Sequence, residues 1–220
     1  MIKAILFDMD GTLIDSERPN LDFMIETCRE FGFNVDREDI LSMRSISPEG
    51  CSEFYRSKYG EDFDFFRIRD SRREKMRNYV ENEGLQVKPG VYELMDFLDD
   101  INIKTAVVTS NQYDRAVNYM KMIDLDGRFD YVISAAMVKN GKPAPDVYLY
   151  ASEKVGEIPV NCIAVEDSPN GVQSAYSAGC NVAVVPDITP ADEMMKKNGK
   201  WILNDLSELI PIIESEISPL

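Results

Sequence analysis

Six short apolar runs, each stopping on a polar residue or just short of one, constrain this chain more than any other feature. They are Ile2–Phe7, Thr105–Thr109, Tyr131–Ser134, Cys162–Val165, Asn181–Val185 and Trp201–Leu203. Runs this short, apolar throughout rather than alternating, read as strands buried on both faces. Helical periodicity separates the later ones. Val91, Leu94, Met95 and Leu98 fall at i, i+3, i+4 and i+7 behind a Pro89-Gly90 start, and Ala116–Ile123, Pro145–Val155 and Gly171–Ala178 read alike. The alternation predicts an α/β fold, a parallel sheet covered on both faces by helices.

The stretch between the first two runs breaks this pattern. It has no strand signal, is rich in Arg, Glu, Asp and aromatics, and has helical periodicity over Leu21–Phe31 and Ile68–Val80. The expected organisation is a core of residues 1–14 and 87–220 with a helical domain of residues 15–86 inserted after the first strand. Phe23, Phe31, Phe54, Tyr55 and Phe63 are expected to form the insertion's own core, and Pro48 and Gly50 to mark a turn in a loop. Arg67, Arg69, Arg72, Arg73 and Arg77 read as a solvated helix face.

Composition removes whole classes of chemistry. The 220 residues carry a formal charge of −15, which disfavours nucleic acid as a partner. No apolar run approaches the ~18 residues of a membrane helix, and no secretory leader is read, so a cytoplasmic protein is expected; a monomer is the default for a chain with its own large core. The four cysteines, Cys28, Cys51, Cys162 and Cys180, form no C-x-x-C pair and read as reduced packing residues. There is no histidine. That excludes Ser-His-Asp and Cys-His catalysis and His-ligated zinc. Acid–base work must rest on carboxylates, Lys, Tyr or Cys, and any metal site must favour a hard, oxygen-loving cation such as Mg²⁺.

In an open parallel sheet, ligands bind outside the carboxyl ends of the strands. The first strand ends on Asp8-Met9-Asp10-Gly11-Thr12, the second on Thr109-Ser110-Asn111, and the fourth on Glu166-Asp167-Ser168, while Lys142 precedes the Pro145 helix. Carboxylates, hydroxyls, an amide and an ammonium converging in this way suit phosphoryl transfer. One carboxylate can attack and another move a proton. Clustered carboxylates call for a divalent cation. Thr109, Ser110 and Lys142 can hold phosphate oxygens.

Four motifs give these residues a family context. F-D-M-D-G-T-L at Phe7–Leu13, V-V-T-S-N at Val107–Asn111, G-K-P-A-P-D at Gly141–Asp146 and V-E-D-S-P-N-G at Val165–Gly171 resemble, in order and spacing, those of the haloacid dehalogenase-like superfamily. The resemblance spans nearly the whole chain. It implies a Rossmann-like core with an all-helical C1 cap, like that of the phosphatase, phosphonatase and β-phosphoglucomutase branch. It implies Asp8 as nucleophile and Asp10 as the acid and base. Asp8, Asp10 (through its carbonyl) and Asp167 would be Mg²⁺ ligands, and Thr109, Ser110 and Lys142 the phosphate site. Glu166, Asn111 and Ser168 are candidates for a further ligand or for residues that hold the ligands. Asn20 and Lys75 are candidate substrate contacts in the cap.

The branches differ at residues that can be inspected. Dehalogenases lack the second aspartate of the first motif, and Asp10 is present here. Phosphonatases carry a cap lysine near the start of the insertion, and Asp15–Asp22 has none. The histidine and arginine of the mutase cap fall at Asn20 and Pro48, while Lys75 matches a cap lysine. Thr12 resembles the phosphatases. The leading expectation is a Mg²⁺-dependent phosphatase of a small phosphorylated metabolite. The alternative enzyme is a hexose-phosphate mutase, and the alternative of another class is a non-catalytic phosphometabolite-binding protein.

Overall fold

The computed structural model describes residues 1–44 and 46–217, and its chain divides into two compact units, Met1–Asp15 with Leu85–Leu220 and Ser16–Gly84. The first unit is built on a sheet of β1 (Ala4–Phe7), β2 (Lys104–Thr109), β3 (Tyr131–Ser134), β4 (Cys162–Glu166), β5 (Asn181–Val184) and β6 (Trp201–Ile202). Every pairing is parallel, in the order β3-β2-β1-β4-β5-β6. The order reverses around β1, the position at which such sheets open a crevice.

The inner strands are apolar because both faces are covered. All four residues of β1 and all five of β4 are buried. β1 starts two residues later than the apolar run, since the Ile2 and Lys3 amides donate instead to Glu216 O (3.2 Å) and Asn161 O (2.8 Å). The register carries the functional consequence. Phe7 pairs with both Val107 and Val165, so Asp8 leaves the sheet beside Val108 and Glu166. The Asp8 amide donates to Val165 O at 2.9 Å, which holds the chain in register one residue beyond the strand.

Helices α5 (Val91–Asp100), α6 (Tyr113–Met122), α7 (Asp146–Lys154) and α8 (Pro169–Ala178) connect these strands. α5 buries Val91, Leu94, Met95 and Leu98, the stripe read from its period. α8 starts with Ser168, whose hydroxyl accepts from the Gly171 amide, and stops at Gly179 in the left-handed region. Two further helices, Glu193–Asn198 and Leu209–Glu216, follow β5 and β6. Buried side chains of α7, α8 and the sheet, with Tyr148 and Val172 among them, form one continuous core.

The second unit, among its described residues, is helical: α1 (Glu17–Glu30), α2 (Arg37–Ser42), α3 (Pro48–Tyr59) and α4 (Phe65–Glu83). Pro48 and Gly50 do not mark a loop. They lie in the first turn of the third of these helices, with Ser47 as its cap accepting from Gly50 N at 3.1 Å. Proline in the first turn forfeits no helical hydrogen bond, so the same residues that signal a turn also start a helix. Phe31, Phe54, Tyr55 and Phe63 do pack together, Tyr55 stacking on Phe63 with centroids 4.9 Å apart. Phe23 instead meets Tyr79 edge-on at 5.7 Å. The arginine-rich face is partly engaged, Arg67 lying over the Phe31 ring and Arg69 over Phe66, each at 5.1 Å. All four cysteines are free and buried, and burial pushes the Cys28 and Cys180 thiols up to about 12. No helix among the described residues is long and apolar enough to cross a membrane.

Candidate active site

The carboxyl ends of β1, β2 and β4, together with the segment before α7, bring most of the core candidates to one place. Lys142 is central. Its ammonium donates to Asp8 Oδ1 at 2.5 Å, Glu166 Oε1 at 2.6 Å and Val108 O at 3.0 Å. Those three bonds use all three of its N–H groups. Glu166 and Asp167 are buried, and Asp8 is only 8% exposed. Burial disfavours the Lys142 charge, but Asp8 and Glu166 outweigh it and hold the ammonium above its usual range. Burial pushes the Asp8 carboxyl well up; Lys142 opposes this, while Glu166, Asp167 and Asp10 add to it.

That excess of buried negative charge is the test of a metal site. Asp8, Glu166 and Asp167 each offer an oxygen, and these atoms lie within 4.8 Å of one another. The backbone leaves room for them. A Cβ on Gly11 would come within 2.4 Å of Asp167 Oδ2, and Gly11 has a φ of +81°, so the turn requires glycine for both reasons. An all-oxygen, anionic donor set of this kind fits a hard divalent cation.

The β2 end is held by its own polar groups. Thr109 Oγ1 accepts from the Asn111 amide and side chain, both at 3.1 Å, and Ser134 donates to Asn111 O at 2.5 Å. The Asn111 side chain in turn donates to Asp10 Oδ2. Asn111 therefore ties Asp10 to the ends of β2 and β3, while Ser110 faces solvent. Ser168 caps α8 and donates to Glu166 Oε2 at 3.3 Å.

The insertion's candidates are engaged within their own unit. Asn20 Oδ1 accepts from Arg72 at 2.6 Å, and Lys75 donates to Glu26 and Glu30 at 2.6 and 2.7 Å.

Three residues, Tyr148 buried and Lys88 and Asp187 half-buried, escaped the sequence reading. Tyr148 donates its hydroxyl to Glu166 Oε1 at 2.6 Å. Lys88 and Asp187 form an ion pair at 2.6 Å, and Asp187 Oδ2 lies 3.3 Å from the position of a Gly11 Cβ. The available signals were thin: Asp187 closes a strand like the other carboxylates, and Lys88 stands just before Pro89-Gly90.

Comparison with known proteins identifies the family. A family model described as haloacid dehalogenase-like hydrolase matches residues 5–185. Phosphorylated carbohydrates phosphatase of Thermotoga maritima is 31% identical over 191 residues, 81% of this chain and 82% of that protein. Hexitol phosphatase A of Escherichia coli is 30% identical over 220 residues, 94% and 93% of the two chains. The crystal structure of CbbY from Rhodobacter sphaeroides in complex with phosphate superposes with a TM-score of 0.76 at 26% identity, covering 95% of this chain and 96% of that one. The chain belongs to the haloacid dehalogenase-like hydrolase family.

Proposed function

We propose that this chain, a phosphatase of the haloacid dehalogenase-like family, hydrolyses a small phosphorylated metabolite through a phosphoenzyme on Asp8. The observation that carries the reading is the buried cluster itself: Lys142 bonded to Asp8 at 2.5 Å, beside Glu166 and Asp167. In the first step an Asp8 carboxylate oxygen attacks phosphorus and the bond to the leaving oxygen breaks. The Asp10 carboxyl gives that oxygen its proton. In the second step Asp10, now a carboxylate, takes a proton from the water that attacks the acyl phosphate. Phosphate then leaves and Asp8 is restored. Asn111 holds Asp10 for both transfers.

Lys142 redirects an N–H from Asp8 towards a phosphate oxygen, with Thr109 and Ser110 supplying further donors. Asp8, the Asp10 carbonyl and Asp167 are the residues that would hold Mg²⁺. Bound there, the cation supplies charge neutralisation between an anionic nucleophile and an anionic phosphate. The mutase alternative is not favoured: the curated relatives reported above are named phosphatases, and the chain has no histidine.

The test is phosphate release from sugar phosphates, nucleotides and p-nitrophenyl phosphate, with Mg²⁺ and with EDTA. β-Glucose 1-phosphate is read in parallel for glucose 6-phosphate. Mg²⁺-dependent release is expected, with Asp8→Asn lowering it by at least about 10³-fold. Release that survives Asp8→Asn removes the nucleophile assignment, and isomerisation without release turns the reading to a mutase.

A further inference from the structure

The mechanism above uses Lys142 but does not say what keeps it aimed. Its side chain has four rotatable bonds and ends among three acceptors, one of which is Glu166 Oε1. Glu166 is itself a flexible side chain, and its other restraints are few. Ser168 reaches Oε2 at 3.3 Å, a long bond. Gly171 opens the space that the carboxylate occupies, since a Cβ there would lie 1.8 Å from Oε2. The short, strong contact is the Tyr148 hydroxyl, 2.6 Å from the same oxygen that holds the ammonium.

Tyr148 meets Lys142 a second way. Its ring centroid lies 5.2 Å from the ammonium nitrogen, within range of a cation–π contact. The side chain is fully buried on α7, which begins four residues after Lys142. A phenol is protonated at neutral pH, so it serves here as the donor to Glu166.

We propose that Tyr148 is a positioning residue: its hydroxyl pins Glu166 Oε1, and Glu166 so pinned fixes the ammonium of Lys142 for the incoming phosphoryl group. When Lys142 turns one N–H from Asp8 to phosphate, Glu166 and Val108 O keep the other two, and Tyr148 prevents Glu166 from following. Two donors on Oε1 also commit that oxygen to Lys142 and Tyr148, leaving only Oε2 of Glu166 to face a cation. The proposal rests on the phosphatase reading.

The experiment is inorganic phosphate binding by titration calorimetry at saturating Mg²⁺, with Mn²⁺ binding followed separately by electron paramagnetic resonance, on the full chain. Tyr148→Phe keeps the ring and the cation–π contact and removes only the hydroxyl. It is expected to weaken phosphate binding about tenfold, the scale of one hydrogen bond to a charged group, and to keep Mn²⁺ binding within about twofold. A role in packing alone would lower the melting temperature and leave phosphate affinity unchanged in the folded protein. That result overturns the proposal, as does a parallel loss of Mn²⁺ binding.

If Tyr148→Phe does not fold by circular dichroism, Glu166→Gln carries the test. Its amide oxygen can still accept from both donors, so phosphate affinity should stay within about threefold of wild type; a fall of about tenfold or more would mean that the charge of Glu166, and not its pinning, holds Lys142, and overturns the proposal. A wild-type chain that binds no phosphate overturns this proposal and the phosphatase reading together. A wild-type chain that binds phosphate no better than Tyr148→Phe overturns this one alone.

Discussion

Each of the two units contains a lysine bridged between two carboxylates at almost the same distances. In the sheet unit Lys142 lies 2.5 Å from Asp8 and 2.6 Å from Glu166. In the helical unit Lys75 lies 2.6 Å from Glu26 and 2.7 Å from Glu30. A distance list cannot tell them apart; their surroundings can. Lys142 is 6% exposed and Glu166 not at all, whereas Glu26 and Glu30 are about half exposed. In water such a pair contributes ~0–1 kcal/mol and is screened by salt. Out of water its charges have only each other, and removing one strands the rest. In the proposed reaction the buried triad is where an arriving phosphate takes over a partner, because little solvent competes for it.

The largest effect that would break this comparison belongs to Lys142. Lys142→Met leaves Asp8 and Glu166 facing each other in the core without their cation. Turnover should fall by about 10²–10³-fold or more, the scale of a lost oxyanion donor. Unfolding free energy measured in urea should fall by ~3–5 kcal/mol, as when one partner of a buried pair is removed. A loss below ~1 kcal/mol would mean that Lys142 behaves like a surface lysine.

A smaller effect sharpens the comparison from the side of the cation. Mg²⁺ at about 100 times its dissociation constant should add ~2.7 kcal/mol to stability, on the order of 5–10 °C in Tm for a chain of this size. Asp167→Asn should blunt that shift. The sign of the pH dependence follows from Asp8, whose carboxyl the fold raises above its unfolded value. A raised carboxyl favours the fold below the unfolded value, near ~3.9, and that benefit is lost as pH rises through the folded one. The metal-free chain therefore loses this contribution as pH rises, and a bound cation offsets the loss. The Mg²⁺-induced shift in Tm should be larger at pH 7 than at pH 5; an equal shift would separate Asp8 from the cation.

Much of the sheet unit was legible because its signals are local. Apolar runs name the strands, and the last residue of each run or the one after it is at the carboxyl end, so Asp8, Thr109 and Glu166 could be placed without knowing the fold. The strand order then does the rest, since register alone sets Asp8 next to Glu166. What was not legible depends on contacts across the chain. Lys88 and Asp187 are 99 residues apart, and nothing in either segment points to the other. Tyr148 reads as one apolar position of a helix; only the fold shows its hydroxyl turned to a carboxylate 18 residues away. Pro48 and Gly50 misled for a different reason, because proline breaks a helix from within but starts one at its first turn. Lys75 sits between these cases. Glu26 and Glu30 share a helix face at a spacing of four, and Lys75 falls in the helix read over Ile68–Val80, but that the two helices pack against each other is known only from the structure.

Lys75 is therefore the residue on which the smallest prediction rests. Its carboxylate partners raise its pKa, Glu26 ahead of Glu30. A raised lysine contributes stability below its unfolded value, near ~10.4, and loses it as pH climbs through the folded one. At pH 7 that contribution is present but small, because the pair is wet. Lys75→Met should cost less than ~1 kcal/mol in urea unfolding, and the cost should shrink further in 1 M salt, where the screening length is ~3 Å. The buried lysine should depend on bulk salt much less, since little solvent lies between its charges to screen them. Turnover should stay within about twofold if both carboxylates keep Lys75 during the reaction. A tenfold fall in kcat/KM with stability unchanged would mean that Lys75 leaves Glu26 and Glu30 for the substrate. The two lysines would then differ only in when they exchange a carboxylate for a phosphate, and exposure would no longer separate the pair that holds the fold from the pair that does the chemistry.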